Sequence, residues 1–385
     1  MDADAALGIS WVLNYWLMKI QKATARYEEW LARELTIVPT DLQHKHEQMS
    51  AALFPFMRAT YYRWAQIWPE VCGDLASAPV VLGVGDLHVE NFGTWRDSEG
   101  RLIWGINDFD ETWRLPYTHD LVRLAASAHI AISENHLALD MKDAAGAILE
   151  GYSESLAAGG RPFVLAEHHG LLRDMAVHRL KEVCSFWEKL EKCQPIKGAI
   201  PDGAAKGITR LLPDPRLPRR HVHRVAGLGS LGRQRFVALA QWHASNIARE
   251  AKAMAPSACW WAAGCKGSSR ILYQEILDTA VRCCDPYVKQ KGNWIVRRLA
   301  PDCSRIELSE LPKERSETAL LRAMGFETAN VHLGSKKARA IQADLKKRGT
   351  AWLAKAAEEM LKAVSQDWDE WRKSDPAMKP AQPKR

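Results

Sequence analysis

The sequence predicts an α+β protein with two lobes. Three observations carry this prediction: a β-hairpin with polar tips between residues 80 and 111, helical periodicity on both sides of it, and a second, glycine-containing β segment over residues 221–300. A chain of 385 residues is long enough to form two packed lobes. Hydrophobic residues make up 47% of the chain and charged residues 26%, which are ordinary values for a globular protein.

Helices are expected before and after the hairpin. The apolar periodicity predicts one or two helices over residues 7–35 and another over 41–68, followed by helices over 118–133, 136–158 and 165–192. Proline and glycine are dense in residues 193–220, which indicates a linker. The expected units are an N-terminal helical segment 1–45, a helical lobe 46–192, the linker 193–220, a β lobe 221–300, C-terminal helices 301–372 and a disordered tail 373–385.

The hairpin is expected to bring two polar tips together. The apolar run at residues 80–84 predicts a buried strand that leads to Asp86, and Asn91 follows five positions later. The return strand ends at Asp108 and Asp110. Carboxylate and amide oxygens crowded in this way suit a hard cation such as Mg²⁺, with phosphate on its far side. A carboxylate beside such a metal can also orient or deprotonate a hydroxyl group.

This region resembles the kinase-fold phosphotransferases, above all the aminoglycoside and choline kinase branch. The shared pattern is D-x-x-x-x-N, a hairpin and D-F-x, followed by a proline and an Asp-Leu-Val-Arg-Leu helix start at residues 120–124. The resemblance implies Asp86 as the catalytic base. One position departs from the pattern, because Val84 stands where most of these kinases have histidine. The metal ligands that the resemblance implies are Asn91 and Asp108, with Asp110 as a ligand of a second metal or as part of the acidic patch.

A glycine-rich segment follows at Gly227-Leu228-Gly229-Ser230-Leu231-Gly232, and three interpretations of it are open. A kinase glycine-rich loop needs a strand on each side and a lysine on the next strand, where Lys252 is well placed. A dinucleotide-binding turn needs a helix after the glycines and an acidic residue about twenty positions on, where Glu250 stands. The third interpretation is a structural β-turn, in which glycines are common.

In the kinase fold, the helix after the lysine strand supplies a glutamate that pairs with the lysine. Glu275 is the central acid of a helix predicted over residues 269–283, and Asp278 is its rival. The kinase interpretation therefore predicts ATP and Mg²⁺ as cofactors. The residues that it places at the nucleotide are Gly227, Gly229, Ser230, Gly232, Lys252 and Glu275.

These parts stand in a circularly permuted order, because the catalytic loop precedes the glycine-rich loop. The segments GDLHVENFG, NDFDE, DLVRL, AGLGSLG and EAKAM, in this order, resemble the bacterial family filed as domain of unknown function 2252 over roughly residues 50–340. Ala59 and Ala253 depart from that family, which has glycine and glutamate there. The resemblance to this family implies no particular activity, because the family has no firmly assigned one. The permuted order is also compatible with a homodimer in which two copies exchange lobes.

The leading hypothesis is an ATP- and Mg²⁺-dependent phosphotransferase that acts on a small hydroxyl or amine acceptor. A non-catalytic, pseudokinase-like nucleotide-binding protein is the alternative, because Val84 and the altered lysine strand depart from the kinase pattern. A two-metal phosphoesterase is a further alternative, although the GDxxD segment of that class is missing. Its candidate residues are Asp86 and His88, Asn107 and Asp108, and Asn135 and His136.

The net charge and the cysteine content limit which partners and which cellular compartment are expected. The net charge is +7, and no basic stripe with interleaved aromatic residues is present, so no nucleic-acid partner is expected. The eight cysteines fit no zinc or redox spacing, which favours reduced thiols in a bacterial-type cytoplasm. The apolar stretch at residues 5–18 is short and interrupted, so a packed helix is expected there, and neither a signal peptide nor a membrane span is predicted.

Overall fold

The computed structural model describes residues 18–134, 137–170, 172–173, 183–265, 267, 270–303 and 317–374. Within these ranges the chain is a mixed α+β structure whose sheets are antiparallel, which confirms the α+β part of the predicted fold class. The first part of the predicted N-terminal helix and the tail from residue 375 lie outside the described residues.

The helices surround the hairpin and extend to the C-terminal part of the described chain. In chain order they are α1 Ile20–Glu34, α2 Pro39–Ala51, α3 Leu53–Ala59, α4 Tyr61–Val71, α5 Gly73–Ala76, α6 Tyr117–Ser133, α7 Met141–Ala158, α8 Leu165–His168, α9 Val183–Glu191, α10 Asp202–Arg210, α11 Ala258–Ala262, α12 Tyr273–Thr279, α13 Glu317–Leu333, α14 Ala338–Leu345 and α15 Trp352–Ser374. Among the described residues, no helix combines the length and the apolar character that a membrane span requires.

The helix predicted over residues 41–68 is broken into three. Ala52 has extended backbone angles, with φ −154° and ψ 161°, and separates α2 from α3. Thr60 leaves the helical region between α3 and α4, and its hydroxyl donates to the Phe56 carbonyl over 2.7 Å. Pro69 was expected just beyond the end of the helix but lies inside α4, near its C-terminus. Periodicity detects the shared apolar face of such helices, but it does not detect single non-helical residues between them.

The strands form three antiparallel sheets. They are β1 Val80–Gly83, β2 Phe92–Arg96, β3 Leu102–Ile106, β4 Trp113–Pro116, β5 Phe163–Val164, β6 Gln194–Pro195, β7 Arg219–His223, β8 Arg235–Trp242, β9 Ser245–Ala253, β10 Lys289–Lys291 and β11 Trp294–Leu299. β1 pairs with β4, and β3 pairs with both β2 and β5. The third sheet has the strand order β10-β11-β9-β8-β7-β6.

The predicted linker at residues 193–220 is largely folded. It contributes β6 to the six-stranded sheet, and its last two residues begin β7. It also forms α10, which buries Ala204 and Ile208 against β9 and β11. Proline and glycine mark the turns of this segment, but its small and apolar residues cover one face of the sheet.

The first and last described helices lie side by side. The backbone N–H of Ile20 donates to Glu370 Oε2 over 3.1 Å, and the Gln21 side chain donates to the Glu370 carbonyl over 2.9 Å. Arg63 in α4 forms a buried ion pair with Asp367 at 2.8 Å. These contacts tie α1 and α15 to each other and α15 to α4.

Glu327 is a buried carboxyl group behind the hairpin. It accepts hydrogen bonds from the Ile106 N–H at 3.3 Å and from the Asn330 side chain at 2.9 Å. Burial raises its pKa from an ordinary value of 4.5 to about 7, although the charge of Arg282 opposes this shift. The folded protein therefore binds a proton that the unfolded chain releases, so the stability contribution is complete below about pH 4.5 and is lost as the pH rises through 7.

The variant Glu327→Gln tests this linkage. Between pH 5 and pH 8, we expect its free energy of unfolding to decline by on the order of 2 kcal/mol less than that of the parent protein, because the amide does not titrate. Urea denaturation at several pH values measures both slopes. An identical slope in the two proteins would show that Glu327 is ionised in the folded state across this range.

Candidate functional site

The loop after β1 carries Asp86 on a turn that requires glycine. Gly85 has a φ of 83°, a left-handed conformation that side chains rarely adopt. A β-carbon at this position would lie 2.8 Å from the Tyr61 hydroxyl and closer still to the backbone oxygen of Glu111. The turn is thus packed against a second loop, and Asp86 is held in a fixed position.

Asp120, in the first turn of α6, braces the same loop. Its carboxylate accepts hydrogen bonds from the backbone N–H groups of Val84 at 2.6 Å and Gly85 at 2.9 Å. His332 Nε2 lies 3.0 Å from the same carboxylate. Burial raises the pKa of Asp120, but the contacts with His119 and His332 outweigh burial and hold the pKa well below its ordinary value. Asp120 therefore remains an ionised acceptor for the loop.

Arg123 fixes the orientation of Asp86. Its Nε donates to Asp86 Oδ1 over 2.8 Å, and its Nη2 contacts the same oxygen. The guanidinium is fully buried over the rings of Tyr61 and Trp64, 4.9 and 4.8 Å from their centroids. Both bonds reach Oδ1. The other carboxylate oxygen, Oδ2, lies towards the glycine-rich turn, 3.3 Å from where a β-carbon on Gly229 would stand.

Asn91 joins the two polar tips of the hairpin. Its Nδ2 donates to the backbone oxygens of Asp86 at 3.2 Å and Asp108 at 3.1 Å. Its Oδ1 accepts from the backbone N–H of Asp108 at 3.0 Å. The predicted convergence of these three residues is present in the structure. Asn91 sets the spacing of the two carboxylates, and the second lone pair of its Oδ1 suits a further ligand.

Lys252 reaches from β9 to the second tip. Its Nζ lies 2.5 and 2.6 Å from the two carboxylate oxygens of Asp110, and 3.4 Å from Asp108 Oδ1. Burial and the charge of Asp108 raise the pKa of Asp110 above its ordinary value, although Lys252 and Arg233 oppose the shift. Asp110 is therefore the partner of the lysine. The Asp108 side chain, 29% exposed, is the more accessible carboxylate.

The glycine-rich segment is a turn between β7 and β8. Leu228–Ser230 forms one 3-10 turn, flanked by Gly227 and Gly232 with φ values of 75° and 92°. Arg235 donates to the Ser230 hydroxyl over 2.9 Å. A strand follows the glycines, so the dinucleotide-binding interpretation, which requires a helix there, is wrong. The kinase-loop and β-turn interpretations both agree with this geometry.

This turn packs directly against the loop that carries Asp86. A β-carbon on Gly229 would lie 3.2 Å from the Arg58 carbonyl and 3.3 Å from Asp86 Oδ2. Lys45 is buried beneath the turn, with Nζ 3.5 Å from the Gly229 carbonyl, and burial lowers its pKa to about 8. Glycine permits this close approach, and the turn closes the cleft over Asp86.

The kinase interpretation predicts that Glu275 pairs with Lys252, but the structure does not place these two residues together. Glu275 pairs with Arg114 at 3.2 Å and Arg270 at 2.5 Å, both largely exposed. The rival acid, Asp278, accepts from the Gln274 side chain. The reason lies in the face of α12 that packs inward. The buried residues of that helix are Tyr273, Ile276 and Leu277.

Glu111 is a site residue that the sequence analysis did not single out. It accepts from Arg233 at 3.0 Å and from the backbone N–H of Ala258 at 2.6 Å, and its carbonyl accepts from Ser257. It thereby links the second hairpin tip to the residue after the glycine-rich turn. The sequence signal that could have identified Glu111 is its position as the last acidic residue of the NDFDE motif.

Two cavities meet at Asp108 and Gly227, which line both. The smaller one lies on the Asp86 side and is also lined by Lys45 and His88. The larger one, of about 350 Å³, lies between the glycine-rich turn, β11 and α12. The arrangement places the Asp108 carboxylate at the boundary between a small cavity and a larger one.

The donor set at this boundary suits Mg²⁺ better than a metal held by protein alone. Among the described residues there is no group of three or more His, Cys, Asp and Glu side chains that is arranged for a metal ion. Mg²⁺ is usually held by one or two carboxylates together with substrate phosphates, and Asp108 with Asn91 Oδ1 fits this pattern. A two-metal phosphoesterase site is therefore not supported by the described residues. Asn135 and His136, which that interpretation uses, lie outside them.

Replacing Gly85 by alanine should destabilise the loop that carries Asp86. The backbone conformation is strained for alanine, and the new methyl group collides with the backbone of residue 111, so we expect a loss of roughly 3 kcal/mol in the free energy of unfolding. Gly100→Ala is the matched control, because Gly100 has a φ of 73° and no neighbour within 4 Å of an added β-carbon. Denaturant unfolding compares the two variants, and equal losses would contradict the close packing at Gly85.

Comparison with known families supports the resemblance to domain of unknown function 2252 in the first part of the chain. Residues 36–175 match the model of DUF2252, described as an uncharacterized protein conserved in bacteria. The matched region includes both hairpin tips and the helix that braces them. Comparisons with curated proteins and with solved structures found no match.

Proposed function

We propose that this protein is a kinase-like phosphotransferase that uses ATP and Mg²⁺ and acts on a small-molecule hydroxyl or amine acceptor. The observation that carries the proposal is the convergence of Asp86 and Asp108 on one cleft beneath the glycine-rich turn, with Lys252 Nζ 3.4 Å from Asp108 Oδ1. Phosphoryl transfer needs such a set: a carboxylate for the acceptor, a carboxylate for the metal, and cationic and N–H groups for the phosphates.

The order of strands around the glycine-rich turn supports the proposal. β7, the turn, β8 and the lysine strand β9 follow one another as neighbours in an antiparallel sheet. This is the order in which a kinase glycine-rich loop and its lysine occur. The helical segment with Asp86 and Asp108 precedes that sheet in this chain, so the proposed relationship to kinases is a circular permutation with residues 46–192 as the catalytic lobe.

Each polar residue has a role in this proposal. Asp86, oriented by Arg123, positions the acceptor hydroxyl and accepts its proton. Asp108 and Asn91 would hold Mg²⁺, which when bound neutralises charge on the transferring phosphoryl group. Lys252 stands beside the same carboxylates and contacts the phosphates. The N–H groups of the glycine-rich turn cover them.

A non-catalytic nucleotide-binding protein is the second candidate. The observation that favours it is the tight pairing of Lys252 with Asp110, at 2.5 Å, which commits the lysine to the protein. Val84 also replaces the histidine that most of these kinases carry before the catalytic aspartate. In this alternative the cleft binds Mg·ATP and transfers nothing.

Calorimetric titration with ATP, with and without Mg²⁺, tests both candidates. The proposal predicts ATP binding that requires Mg²⁺, followed by ATP consumption with one or more acceptors in a screen of hydroxyl and amine metabolites. The absence of Mg²⁺-dependent ATP binding would overturn both candidates. Binding without transfer to any acceptor or to the protein itself would favour the non-catalytic candidate.

A further inference from the structure

The six-stranded sheet turns one face towards the larger cavity, and the apolar end of that face is already covered. Helix α9 packs Leu190 onto it, with Phe186 and Trp187 beside it. The sheet residues buried in the same cluster are Val222, Val237, Ala248 and Leu299. A nucleotide base needs an apolar surface of this kind, but helix α9 covers most of this one, and Phe186 and Leu299 are the residues of the cluster that line the cavity.

The other end of the same face carries a cluster of charges. Glu250 is fully buried and accepts from Arg224 at 2.7 Å, Arg235 at 3.0 Å and Arg297 at 2.8 Å. Burial raises the pKa of Glu250, but the three guanidinium groups outweigh burial and hold it well below its ordinary value. One carboxylate neutralises one of three positive charges. The side chains of Arg224 and Arg297 are 27% and 22% exposed and line the cavity, so the excess charge faces it.

Arg282 adds a basic group to the cavity from outside the sheet. It stacks on the rings of Trp95 and Phe109, 4.5 and 4.9 Å from their centroids, so these aromatic faces are not free for a base. Its Nε and Nη1 are buried without a hydrogen-bond partner among the described residues. The basic residues that line the cavity are Arg224, Arg235, Arg282, Lys289, Arg297 and Arg298, against the acids Asp108, Asp278 and Asp285.

From these observations we propose that the larger cavity recognises a polyphosphate chain and not a nucleotide base, so that inorganic tripolyphosphate is a ligand equivalent to ATP. This inference rests on the proposed function, because it assigns the class of ligand at the same site. One guanidinium group can donate two parallel hydrogen bonds to a phosphate group, and these charge-assisted bonds are stronger than bonds to neutral acceptors. Asp108 lines both cavities and would place the metal end of the chain beside the smaller one.

Calorimetry and competition with the full chain in the presence of Mg²⁺ test this inference. We expect inorganic tripolyphosphate, ATP, GTP and CTP to bind with affinities within about threefold of one another, and adenosine not to compete at millimolar concentration. Binding of ATP at least tenfold tighter than tripolyphosphate, with competition by adenosine, would overturn the inference and leave the proposed function standing. Failure of both ATP and tripolyphosphate to bind would overturn both.

Matched variants locate the binding to the cavity. Arg224→Gln and Arg297→Gln should each weaken tripolyphosphate and ATP binding by about tenfold, the size expected for one charge-assisted phosphate contact. Arg220→Gln removes the same charge from an exposed position on β7 outside the cavity and should have no effect. Arg297→Lys, which keeps the charge beside Glu250, should recover part of the affinity. Thermal unfolding checks that each variant is folded, and parent-like tripolyphosphate affinity in folded Arg224→Gln and Arg297→Gln would overturn the inference.

Discussion

Asp108→Asn is expected to abolish Mg²⁺-dependent ATP binding while it leaves the fold intact. The carboxylate is part-exposed and its contact with Lys252 is long, at 3.4 Å, so loss of its charge should cost about 1 kcal/mol or less of stability. A neutral amide is a much weaker ligand for Mg²⁺ than a carboxylate. Calorimetry measures the binding, and thermal unfolding measures the stability.

Asp214→Asn is a matched control for this variant. The Asp214 side chain is 32% exposed and pairs with Arg216, and it lines neither cavity. The control should bind Mg·ATP as the parent protein does. If Asp108→Asn also binds Mg·ATP with parent-like affinity, Asp108 is not a metal ligand.

Asp86→Asn is expected to reduce phosphoryl transfer by roughly 10²-fold or more, the scale of general-base catalysis. Its affinity for Mg·ATP should stay within a few fold of the parent value, because the aspartate of this loop contacts the acceptor and acts in the transition state. Slow ATP hydrolysis or autophosphorylation serves as the readout before an acceptor is identified. Equal activity in the parent and the variant would remove Asp86 from the mechanism.

The structure decides which substitution to make at Asp86. Arg123 is fully buried and bonds to Asp86 Oδ1, so alanine would leave a buried cation without its partner, at a cost of about 3–5 kcal/mol. Asparagine keeps an oxygen acceptor at that position. Comparing the thermal stability of Asp86→Asn and Asp86→Ala separates loss of catalysis from loss of structure.

The hairpin and the helix after it were predictable because their signals are local. The hairpin predicted between residues 80 and 111 is present as the antiparallel pair β2 and β3. The turn between them is held by Asp97, whose Oδ1 accepts from the N–H groups of Glu99 and Arg101. Alternation of apolar residues and turn chemistry act over a few positions, so sequence patterns report them well.

The partners of the charged residues were not predictable in the same way. Lys252 pairs with Asp110, 142 residues away along the chain, and which acid it meets depends on how the sheet packs over the hairpin. The expected partner, Glu275, was chosen by its position in a helix, but the apolar face of α12 turns it outward. The three arginines around Glu250 come from separate strands or strand ends and show no shared motif in the sequence.

The contact between α1 and α15 has a topological consequence. Residues 20 and 370 are hydrogen-bonded, so the described chain nearly closes into a ring, and a short connection would complete it. The ring can be imagined cut instead within residues 193–218, ahead of β7. The glycine-rich turn and Lys252 would then precede Asp86 and Asp108, which is the order in ordinary kinases. On the proposed relationship, the two chain orders are one ring opened at two places, and the contacts of the cleft are the same in both.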